Sequence, residues 1–403
     1  MNAEFAPEAA LARELATLAQ QGLARHRREL STPCGAYVEV DGRRLLAFAS
    51  NDYLGLANDA RIVAALAEGA RQWGAGAGAS HLLGGHLHPH QALEEALAAL
   101  VGMPRALSFS TGFMANLAVL PTLAGRGAEI FADRLNHASL IDAALLAQAR
   151  GARVRRYRHN DMAALARMLE ASTAACKIIV SDAVFSMDGD LAPIAELCAL
   201  ARRHDCWLLL DDAHGFGVLG ARGAGTCAHL GIAADARLIL MGTLGKAAGV
   251  GGAFVAGSDA LIETLIHRAR SYIFTTAAPP ALAAALCVAV KILADAEERR
   301  AHLRALIARL KARAAALPWA LLPSDTAIQP LVAGENHAAL ALSQALWQDG
   351  IWAPAIRPPT VPAGTARLRI SLSAAHSLDD VDRLMDALAR QAARCCPDKE
   401  NPA

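Results

Sequence analysis

Four places in the 403-residue chain set reactive side chains among small or apolar neighbours. In Met241-Gly242-Thr243-Leu244-Gly245-Lys246-Ala247-Ala248-Gly249-Val250-Gly251-Gly252, a lysine lies among glycines, unlike a lysine on an exposed helix. A phosphate-binding GxxxxGK[ST] loop is excluded, because Ala247 follows Lys246 and Leu240 stands where the upstream glycine would be. An amine at a strand end beside small residues could form a Schiff base with a carbonyl cofactor. A flexible surface loop is the other reading. The run Leu208-Leu209-Leu210-Asp211-Asp212-Ala213-His214-Gly215 begins as a buried strand and ends in two acids and an imidazole. Open α/β sheets collect ligands at that carboxyl edge. A carboxylate there can keep a pyridine-type ring nitrogen protonated and the ring an electron sink; otherwise the acids belong to a plain turn. Asp211, Asp212 and His214 lack a further ligand at metal spacing, and no metal is expected.

Phe109-Ser110-Thr111-Gly112-Phe113 follows an apolar run and precedes a helical one, so the amides of a helix start could cradle a phosphate. His137, in Asp133-Arg134-Leu135-Asn136-His137-Ala138-Ser139, could stack on a ring or move protons, or simply cap a helix. His81, His86, His88 and His90 interleave with Leu and Gly and read as loop structure with no catalytic assignment.

Short apolar runs must position these residues. Strands are expected at 106–109, 129–132, 178–181, 207–210, 238–241 and 253–256, with helices between them such as 91–101 and 193–203. Continuous apolar strands separated by helices favour a mainly parallel sheet covered on both faces. Before this body, residues 5–30 have helical periodicity, and 37–40 and 45–49 flank a turn at Asp41-Gly42. Beyond Pro279-Pro280 come long Ala/Leu/Arg helices over 281–316. A smaller α+β region follows, with a strand at 366–373 and a helix opened by a Ser377/Asp380 capping box. The expected division is 1–50 (helix and hairpin), 51–280 (large domain) and 281–403 (small domain).

Composition agrees with an ordered enzyme-like body. Hydrophobic residues are 54%, charged ones 19%, and 39 Lys+Arg balance 38 Asp+Glu, a total that does not favour nucleic acid although it leaves room for local patches. Mean hydropathy is +0.27, yet the longest apolar run, 277–290, contains two prolines and ends at Lys291. That is short of the roughly 20 residues a membrane span needs. No signal-peptide pattern opens the chain, and the eight cysteines are dispersed apart from Cys395-Cys396. These features imply ordinary thiols in the cytoplasm.

Taken in order, Asn51-Asp52-Tyr53-Leu54-Gly55-Leu56, Phe185-Ser186-Met187-Asp188-Gly189-Asp190, Asp211-Asp212-Ala213-His214-Gly215 and Thr243-Leu244-Gly245-Lys246 resemble the α-oxoamine synthases. The similarity runs from about Arg25 to Leu388. It implies a fold-type I pyridoxal-phosphate transferase: α/β, with a mainly parallel central sheet and a smaller C-terminal α+β domain. Within the family, Ile356-Arg357-Pro358-Pro359-Thr360-Val361-Pro362 and Gly364-Thr365-Ala366-Arg367-Leu368-Arg369 look most like the member of biotin biosynthesis. That member condenses L-alanine with a pimeloyl thioester, on coenzyme A or acyl carrier protein, with loss of CO2. Glycine-using members (glycine C-acetyltransferase, 5-aminolevulinate synthase) and an ordinary aminotransferase are the alternatives.

The resemblance assigns roles to particular residues. Lys246 would carry pyridoxal 5'-phosphate and remove the Cα proton. Asp211 would pair with the ring nitrogen, His214 with the ring hydroxyl, and His137 would stack on the ring with Ser186 nearby. Gly112, Phe113 and Thr243 would bind the phosphate. In a homodimer with active sites at the interface, Thr276 would reach the neighbour's phosphate. Arg25, Asn51 and Arg369 match substrate positions, Arg369 the carboxylate contact. Two residues depart from the family pattern: Asp182 stands where Glu is common, and His81 where Arg is common.

Overall fold

A computed structural model describes residues 6–395. The chain divides into two compact units. The larger, 51–186 with 190–302, is built on a seven-stranded sheet ordered Arg105–Phe109, Ala253–Gly257, Leu238–Thr243, Trp207–Asp211, Cys176–Asp182, Ala128–Asp133, Arg153–Tyr157. Ala253–Gly257 runs antiparallel to both of its neighbours, and the other adjacent pairs are parallel. Leu209, Ile239, Val255, Ile178 and Ile130 are buried in one core cluster with helix residues Val119, Leu120, Ala143 and Leu265. Ile179, Leu208, Leu210, Leu240 and Phe254, which alternate with these strand residues, are buried as well, so both faces are covered and the central strands read as unbroken apolar runs.

Each of the six strands expected in this sheet is present, extended by one or two residues at one or both ends. One strand, Arg153–Tyr157, is not signalled by the sequence. It lies at the sheet edge, where Arg153, Arg155 and Arg156 replace the apolar run, and charged residues are common on such unpaired rims.

The helical stretch expected over 281–316 is two helices, Pro280–Asp295 and Glu297–Ala314. Arg300, almost wholly buried, donates to the carbonyls of Leu293 (2.7 Å), which also accepts Ala296 N–H, and of Ala294 (3.4 Å), closing the first helix's C-terminus. The first of these helices belongs to the larger unit, which extends to residue 302 and not to 280. The reason is close packing: a Cβ at Gly69 would lie 3.0 Å from Ala284 Cβ and 3.1 Å from Ala281 Cα. Small residues on both helices, Ala60–Trp73 and Pro280–Asp295, let their backbones approach.

The smaller unit joins 1–50, 187–189 and 303–403, so the N-terminal segment is not a separate body. Helix Ala6–Gln20 stops well before residue 30, at Gly22 with φ +66°. Strands Tyr37–Val40 and Arg43–Ala47 form the expected hairpin, joined in parallel by Ile351–Trp352. A second sheet, Ala320–Leu321, Ile328–Gly334, Ala366–Ser371 and Ala355–Ile356, is antiparallel throughout. The capping box forms: Asp380 N–H donates to Ser377 Oγ at 3.1 Å, and Ser377 N–H to Asp380 Oδ2 at 2.8 Å. Among the described residues, no helix is long and apolar enough to cross a membrane. Cys396 and the remaining tail lie outside the described residues.

Candidate active site

Parallel strands in one sheet end on the same edge, and the candidate residues lie there. Thr111 and Gly112 follow Arg105–Phe109, Asp182 and Asp211 end their strands side by side in register, and Lys246 follows Leu238–Thr243. The lysine loop is closed by its own backbone. Leu244 N–H donates to Gly252 O at 2.9 Å, Val250 N–H to Leu244 O at 3.0 Å, and Gly249 N–H to Lys246 O at 2.9 Å. Leu244, Ala247 and Ala248 are buried, and Gly249 (φ +74°) leaves no room for a Cβ against Leu56 and Ala57. The flexible-loop reading therefore gives way to a rigid one.

Lys246 Nζ lies 2.8 Å from His214 Nε2. His214 Nδ1 lies 2.7 Å from Tyr53 Oη, and Tyr53 Oη–H donates to Asn51 Oδ1 at 3.1 Å. With the phenol proton given to Asn51, the chain runs from lysine to Nε2, from Nδ1–H to the phenol oxygen and from the phenol to the amide oxygen. In that direction His214 carries a proton on Nδ1 and presents Nε2 to the amine.

A second network surrounds Asp211. Its Oδ1 accepts Ala213 N–H at 3.0 Å and its Oδ2 accepts Asn116 Nδ2–H at 2.8 Å. Asn116 also donates to Ser139 Oγ at 2.9 Å, which lies 2.8 Å from His137 Nδ1. Both amide protons of Asn116 are thus committed, Ser139 gives its hydroxyl proton to Nδ1, and the proton of His137 rests on Nε2. Burial lowers the pKa of His137, with Lys246 adding to the effect and Asp211 opposing it, so the ring is neutral. His137 also caps helix Ala138–Ala149, accepting Ser139 N–H at 3.2 Å. The capping and ring-facing readings of this residue are compatible.

Asp182 is buried, and that desolvation, with Asp211 beside it, raises its pKa well above the carboxylate range. Its Oδ2 accepts His137 N–H at 2.6 Å, so the carboxyl fixes the backbone that carries the ring. Burial also pushes Asp212 up to about 7, against the bonds it accepts from Thr226 N–H (2.7 Å) and Oγ1–H (2.5 Å).

At the helix start, Thr111 Oγ1 accepts Met114 N–H at 3.2 Å. The first-turn amides, including Gly112 and Phe113, have no acceptors within the helix and suit an anion. A Cβ at Gly112 would come 3.2 Å from the flexible end of Met241, its Cε. Thr243 Oγ1 donates to Gly252 O at 3.2 Å. Ser186 is half-buried in the turn after Asp182, and Thr276 is exposed between helices Arg270–Ile273 and Pro280–Asp295. An amine, a carboxylate held by two N–H donors, a flat ring and a helix start on one sheet edge fit the aldehyde, ring nitrogen, ring face and phosphate of pyridoxal phosphate.

The family model of class I and II aminotransferases matches residues 43–388. A relative from Dechloromonas aromatica, 8-amino-7-oxononanoate synthase, is 62% identical over 379 residues, covering 94% of this chain and 98% of its own. A solved serine palmitoyltransferase from S. paucimobilis, with a pyridoxal-phosphate–myriocin adduct, superposes with TM-score 0.90 at 28% identity, covering 98% of this chain and 99% of that one. The 8-amino-7-oxononanoate synthase of Francisella tularensis gives TM-score 0.75 at 30% identity over 87% and 98%.

The chain belongs to the α-oxoamine synthase family. As a fold-type I α-oxoamine synthase it is an acyltransferase that works with pyridoxal phosphate. Two of the substrate positions expected of an α-oxoamine synthase lie in the smaller unit. Arg369, on strand Ala366–Ser371, is buried and donates to Ser371 Oγ at 2.7 Å. Arg25 donates to Thr360 Oγ1 at 3.3 Å beside a cavity of about 300 Å³ that Arg357 also lines. Arg357 is held by the carbonyls of Gly22 and Ala24, and its pKa is lowered by burial and by Arg25. The sequence gives no signal for Asn116, Ser139 or the phenol of Tyr53 as connectors, because their importance arises only from what they touch.

Proposed function

We propose that this α-oxoamine synthase condenses L-alanine with a pimeloyl thioester to give 8-amino-7-oxononanoate, CO2 and the free thiol carrier, a step of biotin biosynthesis. The observation that carries the chemistry is the Lys246–His214–Tyr53 chain on the same sheet edge as the Asp211–Asn116–Ser139–His137 network. The relatives that share nearly the whole chain carry the choice of substrates.

Bound through Lys246, pyridoxal phosphate supplies an electron sink for the pair released when a bond to the amino-acid Cα breaks. Lys246 Nζ, once free, takes the Cα proton, and His214 Nε2 orients the amine by accepting one of its hydrogens. Asp211 stabilises positive charge at the ring nitrogen, its own position fixed by Asn116 and Ala213. His137 stacks on the ring and offers Nε2–H to oxygens that gain charge while the thiol and then CO2 leave. Gly112, Phe113 and Thr243 hold the phosphate, with Ser186 nearby. Arg369 takes the alanine carboxylate and Asn51 contacts substrate. Arg25 and Arg357, two guanidinium groups forced together beside a polar cavity, suit the distal carboxylate of the pimeloyl chain.

The active unit is a homodimer in this reading, in which exposed Thr276 reaches the neighbour's phosphate. Phe274, 69% exposed two residues earlier, is then covered at the same interface. The six described cysteines are free thiols, which suits the cytoplasm. The deciding test incubates the loaded enzyme with alanine or glycine and with acyl thioesters of graded length on either carrier, and weighs the products. A nine-carbon amino ketone from alanine and pimeloyl thioester is expected. Its absence, or a faster reaction with glycine, would overturn the assignment.

A further inference from the structure

Three imidazoles outside the amine and carboxylate networks converge where the turn His81–Leu83 leads into helix His88–Val101. His81 Nδ1 and His86 Nδ1 are 2.9 Å apart and share a hydrogen bond, whose proton an ion bound between them would displace. One ring nitrogen from each of His81, His86 and His90 lies within 4.8 Å of the other two. His88 is not part of the group. We propose that His81, His86 and His90 form a site for a divalent transition-metal ion that accepts imidazoles at right angles, Ni2+ or Cu2+.

The surroundings orient the rings as ligands. His86 Nε2 faces Gln91 Oε1 at 3.3 Å, and Gln91 Nε2–H donates in turn to Glu95 Oε1 at 2.7 Å. His90 Nε2 faces Ala278 O at 2.8 Å. Both acceptors place the ring proton on Nε2 and leave Nδ1 as the electron-pair donor, the outer arrangement that metal-binding histidines require. His81 is fixed by stacking on Tyr272, with centroids 4.8 Å apart and planes 12° from parallel.

The spacing lies nearer a right-angle pair than a tetrahedral one. Two nitrogens 2.9 Å apart, each about 2.05 Å from a shared ion, subtend an angle of about 90° there, whereas tetrahedral zinc needs them about 3.3 Å apart. Right-angle imidazole pairs suit the square-planar and octahedral preferences of Cu2+ and Ni2+. His90 Nδ1 accepts Leu87 N–H at 3.0 Å and exchanges that bond for the metal. His81 and His90 also line a cavity of about 160 Å³ that reaches Ser110, Gly251 and Gly252, with room for water at the remaining coordination positions.

The test uses tag-free loaded enzyme freed of excess cofactor, since free pyridoxal phosphate chelates metals. Calorimetric titration with Ni2+ should show one ion per chain at micromolar affinity, weakened at least tenfold in His86→Gln. One equivalent of Cu2+ should give an electron paramagnetic resonance spectrum with hyperfine coupling to at least two imidazole nitrogens. His86 is half-buried, so the variant should keep its metal-free melting temperature. His81→Asn provides a second, independent loss of a ligand. No binding at 100 µM Ni2+, equal affinity in both variants and the parent, or tighter binding of Zn2+ than of Ni2+ would overturn the proposal.

Discussion

Tyr53 Oη stands 2.7 Å from His214 Nδ1, on the far side of the imidazole from Lys246. When the phenol accepts Nδ1–H, it leaves Nε2 as the nitrogen that accepts from the amine. Tyr53→Phe removes the partner of Nδ1–H and frees the tautomer. One hydrogen bond of this kind is worth about 1 kcal/mol, so kcat should fall about fivefold. The pH titration of the bound cofactor's absorbance should shift, while the melting temperature changes little. An unaltered titration would show that the phenol does not set the ring.

Asp211→Asn keeps an acceptor for Ala213 N–H but removes the negative charge from the ring-nitrogen position. Loss of a preorganised electrostatic partner costs about 10²–10³ in kcat. The fall should appear in kcat for every thioester tested, with cofactor still bound through Lys246. Stopped-flow measurement of Cα proton exchange isolates the step affected.

His159 bridges Asp133 (3.2 Å) and Asp190 (2.8 Å), and these carboxylates raise its pKa to about 10 against the opposing cost of burial. A raised cationic pKa stabilises the folded state fully below about 6.5, and that stability drains away as pH climbs through about 10. His159→Gln should therefore destabilise by about 1–3 kcal/mol at pH 7. Its unfolding free energy should also lose much of the parent's decline between pH 7 and 10. Denaturant titrations at three pH values measure both effects.

Arg357→Met leaves Arg25 alone beside the polar cavity of the smaller unit. Hydrogen bonds to a charged ligand are worth about 1.5–3 kcal/mol, so KM for the pimeloyl thioester should rise about 10- to 100-fold. KM for alanine should be nearly unchanged. A parallel rise for both substrates would place Arg357 elsewhere in the reaction.

The strands carrying the site were legible because each is an apolar run ending abruptly in Asp, Thr or a Ser-Thr-Gly turn, which is the signature of a buried strand meeting a ligand edge. Arg153–Tyr157 escaped because an edge strand need bury only part of its surface. The break at Ala296 was hidden by good helix formers on both sides; what ends the first helix there is a buried guanidinium arriving from the second. Lys246 and Asp211 stood out by residue type and neighbours. Asn116, Ser139 and Tyr53 did not, since a polar residue in an apolar stretch reads as a compromise until its partners are known. The three converging histidines were visible as a cluster, but only their ring orientations distinguish a pocket of ligands from a loop.

One strand in the large sheet, Ala253–Gly257, runs against the rest. Because of that reversal, the segment bearing Lys246 leaves one strand and returns on its immediate neighbour, pinned where Thr243 pairs with Ala253. Such a segment has no slack to give. In the proposed reaction the Lys246 amine changes partners by pivoting its own four-carbon stem over a floor pinned by the sheet.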